Sequence, residues 1–190
     1  MMRRFLSPAF ALALCALPLT ACGSSNQTQE AAASFSTTAR LGEGTFLTPD
    51  DADRSEADST AEVAALMLHS WDTTIDRTET AAAIRAKPLM SKDWAAIQIE
   101  PERSAGGAQW LAAARHQGYS VPSLVPTHGD VNQDVAPDKA IRAYTVEWVW
   151  EARDRAAIHD TGRRQITLYL EKHNAQWHVV GHQARDLNAN

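Results

Sequence analysis

Two histidines four residues apart, His178 and His182, stand in the segment HVVGH near the carboxyl end of the chain. On a helix this spacing places two imidazoles side by side, as in many zinc sites. The flanking residues instead alternate in hydropathy as in a strand, where four steps cover about 13 Å. Zinc–nitrogen bonds are only about 2.0–2.1 Å long. We therefore predict two ordinary strand histidines and no metal site.

Two carboxylates four residues apart, Asp72 and Asp76, fall in a segment with a helical pattern of apolar residues. This spacing places both on one side of a helix, and a carboxylate held against apolar surface can act as a general base. The groups that could assist it are Tyr144, Tyr169, His178 and His182. The competing interpretation is structural, with Asp76 capping a helix or pairing with Arg85. Because no specific catalytic signature accompanies these residues, we predict no catalytic residue.

Trp148 and Trp150, two of six tryptophans, stand two residues apart in an alternating segment. Period-two spacing places both rings on one face of a strand. Rings of this size bury a large area, so the first interpretation is that they fill a core. The second is that they line a hollow that takes an apolar ligand such as a lipid or a sterol-like molecule. The candidate ligand-binding residues are then Trp148, Trp150, Tyr144 and Asp76.

The amino-terminal segment combines Arg3 and Arg4 with a short apolar run that ends in LPLTACGSSN. A cationic start, a brief apolar stretch and small residues are typical of a secretory signal. The run is shorter than the roughly 20 apolar residues that a membrane span needs. Within this segment, Leu19-Thr20-Ala21-Cys22 resembles the lipobox of bacterial lipoproteins.

The lipobox resemblance implies cleavage before Cys22 and a diacylglyceryl thioether on its sulfur. Residues 1–21 are then a lipoprotein signal peptide, and two or more acyl chains hold a protein stably on a bilayer. Cleavage also removes Cys15, the other of the two cysteines, so we expect no disulfide. The predicted address is the extracytoplasmic face of the cell membrane, with attachment through lipidated Cys22.

Residues 22–59 are rich in Ser, Thr, Ala, Glu and Asp, and from Gly23 onward they hold seven acidic residues against Arg40 and Arg54. Such a composition buries too little apolar surface to fold and predicts an acidic flexible tether. The formal net charge of the chain is −5, and no basic cluster is present, which argues against a nucleic-acid partner. We find no cofactor motif and predict no cofactor.

Residues 60–190 carry the periodic segments and are predicted to form one domain. Ser59-Thr60-Ala61-Glu62 has the pattern of a capping box. An apolar stripe at four-residue steps follows and predicts a first helix through Ile75: Val63, Met67, Trp71 and Ile75. A second helix is predicted over Thr78 to Ala86, ended by Pro88. A third is predicted over Ala108 to Gln117, with Trp110, Leu111 and Ala114 on one face.

The last third of the domain changes to a period of two. Alternation predicts three strands, around Tyr144–Trp150, Ile166–Leu170 and Trp177–Gly181, with a turn at His173–Gln176 and a looser hairpin at Asp160–Gly162. Shorter strands are predicted near Ile97–Glu100 and Tyr119–Val125. Helices followed by antiparallel strands predict an α+β domain in which the N-terminal helices pack on one face of a curved antiparallel sheet.

The order of these elements is similar to the NTF2-like cone fold. The helix around Trp110, the segment PDKAIRAYTVEW and the closing WHVVGHQARDL resemble NTF2-like lipoproteins of high-GC Gram-positive bacteria and the VirB8/TcpC-type domains of conjugation machinery. The resemblance implies a cavity between helices and sheet, and it allows a homodimer through the open face of the sheet. The fold hosts many unrelated functions, so it does not assign one.

Three functions follow from these features. The first is a surface lipoprotein whose domain is a non-catalytic protein-binding or assembly module, suggested by the lipobox and the tether. The second is a carrier or sensor of an apolar small molecule held near Trp148 and Trp150. The third is a cavity-based isomerase, dehydratase or hydrolase with Asp72 or Asp76 as base.

Overall fold

The computed structural model describes residues 39–103, 106–125 and 132–187. The predicted signal peptide, the lipidation site Cys22 and the first part of the predicted tether lie outside these residues. The helices are α1 (Ala57–Met67), α2 (Thr80–Arg85), α3 (Lys92–Ala96) and α4 (Ala108–Ala114), and short 3₁₀ turns occupy Leu41–Gly44, Pro49–Asp51 and Lys87–Leu89. None of the helices in these three ranges could span a membrane.

Five strands form one antiparallel, curved and unclosed sheet. They are β1 (Tyr119–Val125), β2 (Gln133–Ala136), β3 (Lys139–Glu151), β4 (Thr161–His173) and β5 (Gln176–Asp186). The order across the sheet is β1-β3-β4-β5, and β2 pairs with the first part of β3. Asn174 and Ala175, with φ of 51° and 63°, form a tight turn between β4 and β5, the left-handed conformation that hairpins favour. The predicted α+β class and this turn are confirmed.

The main core lies between α1 and the sheet. Even-numbered residues of β3 and β4 face the helices, and the buried set includes Leu68, Leu89, Val146, Ile166, Leu168, Leu170 and Val179. The predicted apolar face of β4 is therefore confirmed, and that of β5 is confirmed for Trp177 and Val179 but not for Gly181. A second, aromatic cluster lies at the other end of β3, around Trp148 and Trp150. The sheet thus carries an aliphatic region and a tryptophan region side by side.

Helix α1 is shorter than the sequence predicts. It begins at Ala57 and ends at Met67, so the predicted continuation to Ile75 is wrong, and Ile75 is 52% exposed. The chain after α1 instead pairs with β1: Trp71 N–H donates to Ser120 Oγ at 2.7 Å, and Ser120 N–H donates to Trp71 O at 2.8 Å. The predicted capping box is not formed, because the Ser59 hydroxyl accepts from Asp53 N–H.

The other elements match the ranges predicted from the sequence to different degrees. The predicted strand Tyr119–Val125 is confirmed, and α2 and α4 lie within their predicted ranges. The predicted strand near Ile97–Glu100 is wrong: Ile97 and Ile99 are exposed in an irregular segment. On α4 the buried residues are Trp110 and Ala113 rather than Leu111. Helix α3 and strand β2, only five and four residues long, are not among the predicted elements.

The described part of the predicted tether packs on the domain. Gly42 N–H donates to Asp72 Oδ2 at 2.7 Å, and the Phe46 ring lies edge-on to Tyr119 with centroids 6.5 Å apart. Farther along, Trp177 N–H donates to the carbonyl of Arg54 at 2.8 Å. The body of the protein therefore begins before residue 60, whereas the sequence predicts a flexible tether up to residue 59.

Two glycines of the sheet differ in the space beside them. Gly162 lies opposite Trp148 across the β3–β4 pair, and a Cβ added there would lie 1.8 Å from two atoms of the indole ring. Gly181 on β5 is open, since its nearest neighbour to an added Cβ is Tyr169 Cδ2 at 3.8 Å. The Trp148 ring therefore needs glycine at position 162.

We predict that Gly162→Ala lowers the free energy of unfolding by about 1–3 kcal/mol, the usual cost of overpacking a buried site. Urea denaturation followed by circular dichroism measures this. Gly181→Ala is the matched control and should leave stability unchanged or slightly higher, because it restricts the unfolded chain without a clash. Equal stability of the two variants would contradict the close contact between the Trp148 ring and Gly162.

Candidate functional site

Four tryptophans meet at the end of β3. Trp148 and Trp150 project from the strand, each 6% exposed, while Trp71 comes from the segment after α1 and Trp110 from α4. Trp71 is perpendicular to Trp148 with ring centroids 5.2 Å apart, and Trp110 is perpendicular to Trp150 at 6.0 Å. Trp71 and Trp150 stack at 6.2 Å. These are the offset and edge-to-face arrangements that aromatic rings prefer, so the four rings form one continuous wall.

The rings line a pocket of about 400 Å³, here called the tryptophan pocket. It is lined by Trp71, Glu79, Gly107, Ala108, Gln109, Trp110, Trp148, Trp150, Gly162, Arg163, Arg164 and Asp186. Its volume lies in the range of small-molecule sites, which are mostly apolar with a few polar groups. The start of α4 forms one rim, and β4 with the end of β5 forms the opposite side.

A smaller pocket of about 200 Å³ adjoins the tryptophan pocket and shares Trp71, Glu79 and Arg164 with it. His69 and His182 lie in its lining. The His69 ring contacts both Trp71 and Trp148 with centroids 5.5 Å away. The tryptophan wall therefore borders two pockets, the tryptophan pocket and a smaller one that contains His69 and His182.

Arg164 is the charged group between the two pockets. Its guanidinium donates to Asp186 Oδ1 at 2.5 Å and lies 3.6 Å from Glu79 Oε2. It also lies over the Trp148 ring, 5.5 Å from the centroid, in a cation–π contact. The arginine is thus held by two carboxylates and one aromatic face, and its positive charge is balanced within the site.

Several buried ring nitrogens at this site have no hydrogen-bond partner among the described residues. They are Trp148 Nε1, Trp150 Nε1, His69 Nε2 and His182 Nδ1. Trp71 differs, because its N–H donates to the carbonyl of Glu79 at 3.1 Å. His69 Nδ1 lies 2.8 Å from the carbonyl of Ala65, so the proton is on Nδ1 and Nε2 is an acceptor. Buried polar atoms are normally paired, so this concentration distinguishes the site from the rest of the core.

The two carboxylates considered as bases lie elsewhere and are fully engaged. Asp72 is completely buried; it accepts from Arg153 at 2.6 and 3.0 Å, from Gly42 N–H and from Thr74. Burial raises the pKa of Asp72, but the hydrogen bonds from Arg153, Thr74 and Gly42 outweigh it and hold that pKa below its usual value. A carboxylate in this state is a poor proton acceptor.

Asp76 forms the structural pair that the sequence suggested with Arg85. Both carboxylate oxygens accept from the Arg85 guanidinium, Oδ2 at 2.8 Å, and Oδ2 also accepts from Asp72 N–H at 2.9 Å. The prediction of both aspartates on one helix face is wrong, because α1 ends before them. Asp76 does not line the tryptophan pocket.

Tyr144 shares the inner face of β3 with Trp148 but lies four residues along the strand. It lines a different pocket of about 240 Å³ with Asp58, Glu62, Asn132, Asp134 and Arg142. Arg142 occupies that region through ion pairs with Asp58 and Asp134. The structure therefore brings together Trp148 and Trp150 of the four predicted ligand-binding residues and separates Tyr144 and Asp76 from them.

His178 and His182 both lie on β5, as predicted, and face opposite sides of the sheet. His182 is opposite Leu168 and Val179 is opposite Leu170, whereas His178 is opposite Glu171. A bulge between Val179 and Gly181 causes this change of face. His178 contacts Arg54, and His182 packs edge-on against Trp94. In this fold the two imidazoles do not converge on one ion.

Sequence reasoning missed half of the tryptophan wall. The sequence pattern places Trp71 on a helical stripe and Trp110 on one face of the third predicted helix, and it links neither to Trp148 and Trp150. The partners Arg164, Glu79 and Asp186 were also missed. The available signal is the tryptophan count, six in 190 residues, but the convergence of four rings depends on contacts between distant segments.

Comparison with known proteins assigns no family. No protein-family model matches the chain, no curated protein matches it, and no solved structure matches it. The function is therefore argued from the site alone.

The buried histidines predict a loss of stability in acid. Burial lowers the pKa of His69 to about 4 from its ordinary 6.5, and burial also lowers the pKa of His182. A group whose pKa is depressed in the folded state takes up protons mainly on unfolding, so stability falls as pH drops from about 6.5 towards 4. His69 alone is expected to contribute about 3 kcal/mol of that loss.

Urea denaturation at pH 7.5 and pH 4.5 tests this expectation. His69→Asn removes the titrating ring and should lose clearly less stability between the two pH values than the wild type. His173→Asn, at an exposed site, is the control and should keep the wild-type difference. The same acid-induced loss in His69→Asn as in the wild type would show that His69 is not responsible.

Proposed function

We propose that this chain is a membrane-anchored, extracytoplasmic lipoprotein whose NTF2-like domain binds a small, largely apolar molecule in the tryptophan pocket without transforming it. The observation that carries the proposal is the pocket of about 400 Å³ lined by four tryptophans from three separate segments. Gly107, Ala108 and Asp186 at its rim are exposed, so the pocket opens to solvent and a ligand can reach the apolar wall.

The position of the pocket supports the cone interpretation. Helix α1 packs on the inner face of a curved antiparallel sheet, and the pocket lies on that face, closed at one side by α4. A cavity between helices and sheet is what the NTF2-like resemblance implies. The site therefore lies where a cone domain would hold a ligand.

Binding without chemistry is the best-supported role for this site. The predicted bases, Asp72 and Asp76, are each held by an arginine and lie outside the pocket lining. Arg164, within the lining, is itself paired to Asp186 and Glu79. We therefore place ligand carriage or sensing ahead of the protein-binding or assembly role and well ahead of a hydrolase or isomerase.

We predict that the neutral dye N-phenyl-1-naphthylamine binds the domain with a rise in its fluorescence and quenching of the tryptophans. Ala108 lines the pocket at the exposed start of α4, so Ala108→Phe should fill the mouth and weaken binding about tenfold, the effect of roughly 1.4 kcal/mol. Fluorescence titration of both proteins measures it.

Ala114→Phe is the matched control, because Ala114 is exposed at the other end of the same helix and outside the pocket. It should bind the dye as the wild type does. No binding by the wild type, or equal binding by Ala108→Phe and the wild type, would contradict a ligand site at the tryptophans.

The anchor is tested separately on the full chain expressed in a bacterial host. We predict that the wild type partitions into the detergent phase of a Triton X-114 extraction and carries diacylglyceryl mass on Cys22, and that Cys22→Ser abolishes both. Cys15→Ser is the control, since cleavage before Cys22 removes that residue, and it should behave as the wild type. Unmodified Cys22 in membrane-extracted protein would overturn the anchor.

A further inference from the structure

We propose that the tryptophan pocket selects flat, uncharged molecules that carry a hydrogen-bond acceptor, such as an aromatic ketone or ester, over hydrocarbons of the same size. The inference deepens the proposed function and rests on it. It is argued from the unpartnered indole groups, the balanced charges and the arrangement of the rings.

The acceptor requirement comes from Trp148 and Trp150. Both rings line the pocket, both residues are more than nine-tenths buried, and neither N–H finds an acceptor among the described residues. An indole N–H only donates, and leaving it unpaired in a buried site carries a penalty that a partner removes. An acceptor in the pocket would supply the partner that each indole N–H lacks once the ring edge turns towards it, and χ2 of tryptophan is the torsion that turns the edge.

Trp148 and Trp150 differ from Trp71 in that their N–H groups lack an acceptor in the described part of the chain. Trp71 already donates to the carbonyl of Glu79, so it offers a ring face without a free donor. Trp148 and Trp150 lie two residues apart on the same face of β3. Each of these N–H groups lacks an acceptor within the described ranges, and a carbonyl oxygen can supply one to either of them.

The charges in the lining argue against an ionic ligand. Two arginines and two acids are present, and Arg164 is held by Asp186 and Glu79, while Arg163 pairs with Glu147 at 3.0 Å. A cation would meet the guanidinium that already covers Trp148. An anion would meet the carboxylates of Glu79 and Asp186. Neither sign gains an unpaired partner, so the site favours a neutral ligand.

The arrangement of the rings favours a flat body. Trp71 and Trp150 lie within 25° of parallel, and Trp110 is at 85° to Trp150. A planar ligand can stack on one ring while presenting its edge to another, the two geometries that aromatic pairs prefer. The size of the pocket, about 400 Å³, accommodates a bicyclic aromatic with a short substituent.

The test compares 2-acetonaphthone with 2-ethylnaphthalene, which has nearly the same shape but lacks an acceptor. Each displaces N-phenyl-1-naphthylamine from the full chain in a fluorescence competition. The wild type should prefer the ketone about fivefold, the effect of one buried hydrogen bond. Trp148→Phe and Trp150→Phe should each reduce that preference while keeping affinity for the hydrocarbon within about threefold, since the aromatic ring is retained.

Trp94→Phe is the matched control. The Trp94 N–H is also buried without a partner among the described residues, but the ring packs on His182 outside the tryptophan pocket. This variant should keep the full preference for the ketone. Loss of the preference in Trp94→Phe as well would show a general effect of removing an indole and would overturn the assignment to Trp148 and Trp150.

Charged probes complete the test without any variant. 2-Naphthoate and (2-naphthylmethyl)trimethylammonium should both compete more weakly than the ketone. Equal competition by ketone and hydrocarbon in the wild type, or stronger competition by either charged probe, overturns the inference even if a tryptophan variant fails to fold. Dye binding that Ala108→Phe blocks would still support the pocket, whereas absence of binding by every probe would overturn the proposed function itself.

Discussion

The buried carboxylate of Asp72 is the constraint on which the arrangement of this domain depends. A charge removed from water needs several partners. Thr74 lies two residues away, whereas Gly42 before α1 and Arg153 after β3 come from distant segments. These bonds dock the segment before α1 on Asp72, and the preceding residue, Trp71, pairs with Ser120 of β1. The tryptophan wall is thus positioned partly by an ion pair that lies outside it.

The elements that could be predicted are those governed by local pattern. Alternation alone located β3, β4 and β5, and the buried faces of Ile166, Leu168 and Val179 followed from it. The end of α1 could not be predicted in this way, because the four-residue stripe continues to Ile75, whereas after Met67 the chain bonds to β1 and to Arg153, which are distant in sequence. Residues 39–59 were also misjudged, since an acidic and polar segment gives no sign that its backbone will bond to Asp72 and Trp177.

The same distinction separates the parts of the candidate site. Trp148 and Trp150 were found because a strand's period is local, whereas Trp71 and Trp110 join them through contacts between segments far apart in sequence. Tyr144 lies on the same face of β3 but lines a different pocket. Alternation along a strand predicts which face of the sheet a side chain occupies, but it does not predict which pocket on that face the side chain lines. The bulge on β5 likewise turns His178 away from the face of His182, a change that no residue pattern announces.

The docking of Gly42 has a mechanical consequence. Any tension that enters the domain through residue 39 is carried first by the hydrogen bond from Gly42 to Asp72 and by the bond from Arg153 to the carbonyl of Arg40. The force therefore acts first on the turn at Arg40–Gly42, which is bonded to Asp72 beside Trp71. It does not act first on the hydrogen bonds between the β-strands. A pull on the leading end would be felt at the wall of the tryptophan pocket before any strand is drawn from the sheet.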